Sequence, residues 1–176
     1  MLEVLERVRD EVLPALLEGS TPWNTLAVRY EPPFVNRCWL QWGEYRISLH
    51  KIYPCEEALF HPHPWPSAVE IFSGRYEMGI GSFPAAYGRL PAWFGWKPEI
   101  AATAMLESGT QYEMLNPRGW HYVKPLGVPS MSLMVTGQPW KTASSTPGKG
   151  IEHQTLPIES QAEILDFFRK RLSNAR

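Results

Sequence analysis

The chain has 176 residues, a net charge of −1 and a hydrophobic fraction of 44%. That length suits a single domain with a sizeable core. The balanced charge (pI near 6.5) offers no basic face to a phosphate backbone, which argues against nucleic acid as a partner. No apolar run reaches the roughly 18–20 residues of a membrane span, and Cys38 and Cys55 lack the spacing of a disulfide or CxxC framework.

The opening segment places Leu2, Leu5, Val8, Val12, Leu13, Leu16 and Leu17 on one face at a helical period, with charged residues mostly opposite. It predicts an amphipathic helix over 2–18, with Pro14 placed to kink it. Its charged start has no signal-peptide pattern, so the expected location is the cytoplasm, with both thiols reduced. The pattern then changes to short β-type runs at 38–42, 44–53, 68–73, 75–81, 102–107, 110–115, 120–124 and 130–136. Turn signals separate them at Ser73-Gly74, Asn116-Pro117-Arg118-Gly119 and Gly127-Val128-Pro129. Many short strands at this spacing predict an all-β sandwich or barrel. Residues 83–98, rich in Pro, Trp and Gly, read as a long loop over one barrel mouth. Residues 141–158 read as an exposed linker. Ser160 and Glu163 form an S-x-x-E capping box ahead of Ile164, Leu165, Phe167, Phe168 and Leu172, which predicts a helix over 160–173. The expected organisation is a helix at 1–19, a barrel at 20–140, and a linker with a last helix at 141–176.

There are 5 histidines, and three fall in two constellations. His61-Pro62-His63-Pro64-Trp65 sets two imidazoles at i and i+2, on one side of a strand. Flanking prolines stiffen the segment. Pro117-Arg118-Gly119-Trp120-His121 leads from a turn into a strand that opens on a third imidazole. Three such rings can hold one transition-metal ion. His153 reads as surface, and His50 as a core histidine or an acid–base group. The only aspartates are Asp10 and Asp166, both in helical patterns, which disfavours a Ser-His-Asp triad or an aspartate dyad.

His61-x-His63 with Gly74 eleven residues later resembles the first motif of the cupin superfamily, and Pro117-Arg118-Gly119-Trp120-His121 resembles the second. The likeness spans roughly residues 44–137. It implies a double-stranded β-helix barrel, flanked here by helices, with a divalent metal on His61, His63 and His121. More narrowly, the chain looks like an uncharacterised bacterial group of small cupins. Two departures stand out. The family's glutamate position holds Ser67, and Glu70, three residues further on, has the wrong parity unless a bulge intervenes. One residue is also missing between Gly119 and His121. The alternatives are Glu70 as a fourth ligand, or a three-histidine site as in cysteine dioxygenase-like cupins.

Neutral imidazoles suit Fe, Zn, Cu, Ni or Mn. Open coordination positions and a Trp-rich mouth favour Fe(II) and an oxygenase or dioxygenase acting on a small organic substrate. A metal-dependent isomerase, epimerase or lyase is the second reading, and a non-catalytic ligand-binding cupin the third. Candidate proton donors are His50, Tyr112 and Glu113. Arg46 is placed to pair with an anionic substrate, and Trp65 and Trp120, with Trp93, Trp96 and Tyr122, to wall the pocket. Cupin barrels often pair by their edges, so a homodimer is expected.

Overall fold

A computed structural model describes residues 1–29, 32–82, 99–140 and 154–173. The expected mouth loop with Trp93 and Trp96, most of the linker, and His153 lie outside the described residues.

The N-terminal helical stretch runs as α1 (Leu2–Arg7), a π-helical segment (Val8–Val12) and α2 (Leu13–Glu18). Pro14 takes the second position of α2 and does not end the helix. A proline ring collides with the carbonyl one turn back and has no N–H to give it. The widened π turn ahead of Pro14 accommodates both effects. Strands follow as β1 (Asn24–Val28), β2 (Val35–Trp42), β3 (Tyr45–Ile52), β4 (His61–Pro62), β5 (Ser67–Ser73), β6 (Arg75–Ser82), β7 (Glu99–Glu107), β8 (Gln111–Met114), β9 (Gly119–Pro125) and β10 (Ser130–Thr136), then α3 (Ile158–Ser173). The eight expected runs are all present as β2, β3 and β5–β10. β1, an edge strand without apolar alternation, and the two-residue β4 carry too little pattern to read.

α3 begins two residues earlier than expected, directly after Pro157, whose carbonyl accepts the Gln161 N–H at 3.1 Å. Ser160 and Glu163 are therefore interior to the helix and form no capping box. Glu163 instead pairs with Lys51 on β3.

The strands form a six-stranded antiparallel sheet, ordered β1-β2-β3-β10-β5-β8, and a four-stranded antiparallel sheet, ordered β4-β9-β6-β7. From β3 onward the chain passes from one sheet to the other at each connection except the β6–β7 hairpin. That alternation is the double-stranded β-helix, two Greek keys closed on each other.

Parity divides the larger sheet into two working faces. Cys38, Leu40, Ile47, Leu49, Ala68, Phe72, Met131, Leu133 and Val135 pack outward against Leu5, Val8, Leu13, Leu17, Ile164, Leu165 and Phe168 of the helices. The alternate residues face the barrel interior, where Ile52 and Ile71 join Tyr76, Met78 and Val123 of the smaller sheet. β10 is consequently buried along its whole length.

Gly74 closes the β5–β6 turn at φ +76°, and a Cβ there would lie 2.8 Å from the Ser130 Cα and 2.9 Å from the Pro129 carbonyl. The position needs glycine both for its backbone angle and for the close approach of a second chain segment.

Candidate metal centre

His61 and His121 sit directly opposite each other in the β4–β9 pair, and His63 lies just past the end of β4. The centroids are 4.8 Å apart for His61–His121, 5.3 Å for His61–His63 and 4.5 Å for His63–His121. One ligand atom from each ring falls within 4.8 Å of the others. The Leu59 carbonyl lies 3.0 Å from His61 Nδ1. A carbonyl only accepts, so Nδ1 carries the proton and Nε2 keeps its lone pair, as in many metal-binding histidines. Ser67 Oγ is 3.4 Å from His63 Nδ1. The Nε2 atoms of His63 and His121 are 2.7 Å apart. Two imidazole lone pairs tolerate that distance only with a proton or a cation between them. His121 Nδ1 is buried and has no partner among the described residues.

All three rings are held neutral. Burial pushes each pKa below the usual histidine value, well below for His63 and His121, where neighbouring rings add to it; at His61 the Leu59 carbonyl opposes the shift, and Arg37 lowers His61 and His63 further. His121 is buried by surface, whereas His61 and His63 are half-buried. Three neutral nitrogen donors at this spacing fit a divalent transition metal ion, and no carboxylate joins them among the described residues.

Glu70 does not enter the site. β5 stays in register with β8 from Ser67 to Glu70, and the bulge against β10 comes later, at Phe72. Parity therefore turns Glu70 to the helix side. There its carboxylate accepts from Arg9 at 3.2 Å and from Gln111 at 3.0 Å. Glu113 also turns outward and pairs with the N-terminal ammonium of Met1 at 3.0 Å.

His50 lies on the inner face. Arg37, its cross-strand partner on β2, donates from Nε to His50 Nε2 at 2.8 Å. Burial, then Arg37 and His63, push the His50 pKa well below the ordinary value. Tyr112 belongs to the apolar cluster between the sheets. Its hydroxyl accepts from Tyr76 at 2.8 Å, and burial pushes it up to about 12. Arg46 shares the inner face with His50, its guanidinium over the rings of Trp39 (4.5 Å) and Trp65 (5.9 Å). Trp65 in turn meets His63 edge-on at 6.5 Å. Trp120 is on the other side of β9 from His121 and stacks on Phe60 at 6.1 Å, outside the barrel with Tyr122. Sequence reading missed Arg37 and Trp39. Both alternate with Cys38 and Leu40, and that parity becomes a signal only once the helix-facing side of β2 is known.

No family model matches the chain, and no curated protein matches it as a relative. Solved structures align with it at low identity. The hydroxypropylphosphonic acid epoxidase from S. wedmorenis aligns at 14% identity and a TM-score of 0.46, over 66% of this chain and 55% of that one. This chain thus spans about half the length of the epoxidase. An RmlC-like cupin from Shewanella frigidimarina aligns at 10% identity and a TM-score of 0.47, over 70% of this chain and 90% of that one. KdgF from Halomonas sp. aligns at 12% identity and a TM-score of 0.43, over 66% and 88%.

The strand order of the two sheets, with a His-x-His segment paired to the strand that brings the third histidine, decides the architecture. The fold is that of a cupin. Within this fold the inner face of the larger sheet contributes His50, Arg37 and Arg46, and β4, the residue after it and β9 contribute the histidine cluster. No described helix is long and apolar enough to cross a membrane.

Proposed function

We propose that this cupin binds a divalent transition metal through His61, His63 and His121 and works as a metal-dependent enzyme on a small organic substrate, with Fe(II)-dependent oxygenase chemistry as the leading reading. The observation that carries it is the convergence of three imidazoles with no carboxylate joining them among the described residues. A divalent ion held by these three residues would keep open positions, and Fe(II) there would supply redox chemistry with O₂. The chain's own part is orientation and exclusion of water. The Leu59 carbonyl fixes the His61 tautomer. Trp65 beside His63 and Trp39 under Arg46 narrow the wet space near the cluster. Arg37 holds the His50 ring by its Nε2, so His50 acts here by shaping the lining.

That last contact also ranks the isomerase and lyase reading lower. Such chemistry needs a base beside the metal. His50 Nε2 already accepts from Arg37, and Glu70 is turned to the helices. Location in the cytoplasm and a homodimeric state remain parts of this proposal.

The test is metal analysis of anaerobically purified protein, followed by oxygen uptake with thiols, diketones and small aromatic acids. Iron or reconstitutable iron, with uptake on at least one class, is the expected result. His61→Ala and His121→Ala should each abolish stoichiometric metal, and full occupancy in either variant would remove the ligand assignment. Stoichiometric iron without uptake on any class would leave a binding module.

A further inference from the structure

The lining of the barrel is electrically unbalanced. Arg37 and Arg46 both stand on the inner face of the larger sheet, where their strands alternate with Cys38 and Ile47 of the helix-facing core. Nearby carboxylates are spent elsewhere. Glu70 pairs with Arg9, Glu113 with the N-terminus, and Glu77 accepts from the Tyr122 hydroxyl at 2.6 Å on the outside of the smaller sheet. The histidine cluster brings no carboxylate among the described residues. A dication on it would raise the positive charge further, inside a space where charge is poorly screened.

Arg46 is the group that can act on this imbalance. Arg37 is engaged with His50, whereas Arg46 makes only ring contacts with Trp39 and Trp65 among the described residues. A guanidinium resting over two aromatic rings keeps N–H donors for a planar acid. Trp65 adds a second unspent donor, since its Nε1 is buried without a partner. A buried donor left unpaired costs about 1–3 kcal/mol, which a ligand oxygen would recover. The same Trp65 ring is 6.5 Å from His63. An acidic group at Arg46 and a metal-directed group at the histidines are thus within the span of one small molecule.

We propose that the substrate is a small organic carboxylate, whose carboxylate is received by the Arg46 guanidinium and the Trp65 indole N–H while its other end faces the histidine cluster. This deepens the metal-centre reading and rests on it for the substrate's orientation; the charge argument itself holds with or without the ion.

Isothermal titration supplies the test. Acetate, glycolate, benzoate and phenylacetate, each beside its neutral amide, are titrated into Zn(II)-loaded and metal-free protein. At least one carboxylate should bind the wild type 10-fold or more tighter than its amide. Arg46→Met should cut that preference below threefold with Zn(II) affinity unchanged, and Arg46→Lys should keep part of it. Equal binding of every acid and its amide, or a preference that survives Arg46→Met, overturns the proposal. If the wild type takes up no Zn(II) yet prefers carboxylates through Arg46, the metal centre fails and the anion pocket stands. If Zn(II) binds and the preference is missing, the reverse holds.

Discussion

Mild acid should destabilise the metal-free protein between pH 7.0 and 5.5. His50, His63 and His121 are buried with pKa values well below the ordinary one, and His61 is lowered to a lesser degree. In the unfolded chain each returns to about 6.5. The folded rings therefore bind fewer protons than the unfolded ones, and stability rises with pH across this window. It is fully present above the unfolded value and is lost as pH falls through 6.5 toward the folded values. For one such histidine the loss between pH 7.0 and 5.5 is about 1 kcal/mol, so the three together cost about 3–4 kcal/mol. Against a domain stability of roughly 5–15 kcal/mol that is a large fraction. Urea unfolding in chelator at the two pH values reads it directly. With a slope of about 2 kcal/mol per molar the midpoint should fall by about 2 M. Asp10 and Glu113, whose pKa values are lowered by Arg9 and by the N-terminal ammonium, stay ionised throughout. His50→Gln should shrink the loss by about 1 kcal/mol. A total loss under about 1 kcal/mol, or no change in the His50 variant, would refute the claim that these rings are buried and neutral.

Other substitutions probe separate parts of the structure. Gly74→Ala should destabilise by about 2–4 kcal/mol, from positive-φ strain and from backbone contact with Ser130 and Pro129, measured as a fall in urea midpoint. Phe168→Ala empties a fully buried position that meets Phe72 at 5.1 Å and should cost about 3–5 kcal/mol by the same assay. Glu70→Gln should leave metal affinity within twofold while removing about 1 kcal/mol of stability, because its partners are Arg9 and Gln111. A tenfold loss of metal in that variant would place Glu70 in the centre after all.

Much of this architecture is legible in the residues, and the exceptions have physical causes. The strands read well because turns such as Ser73-Gly74 interrupt them, and the first helix because its apolar face repeats at 3.6. The histidine cluster reads because His61-x-His63 shares one side of its segment. Glu70 was open because a bulge would have reversed its direction, and the bulge falls two residues beyond it, at Phe72. Trp120 and His121 are adjacent on β9, so they cannot both face inward. Tyr112 and Glu113 stand in the same relation, and only the first points between the sheets. Arg37 and Trp39 were not legible as lining, because nothing in a lone strand says which of its sides will meet a helix. That choice is made by α1, α2 and α3 packing on Cys38 and Leu40.

The helix-backed sheet makes one wall serve two independent tasks. Its odd-numbered neighbours along β2 and its even-numbered neighbours along β3 touch whatever enters the barrel, while the residues between them anchor the helices. Selection can therefore rewrite the chamber one lining position at a time, with its scaffold undisturbed, and a lineage built on this plan can change its chemical diet without relearning how to fold.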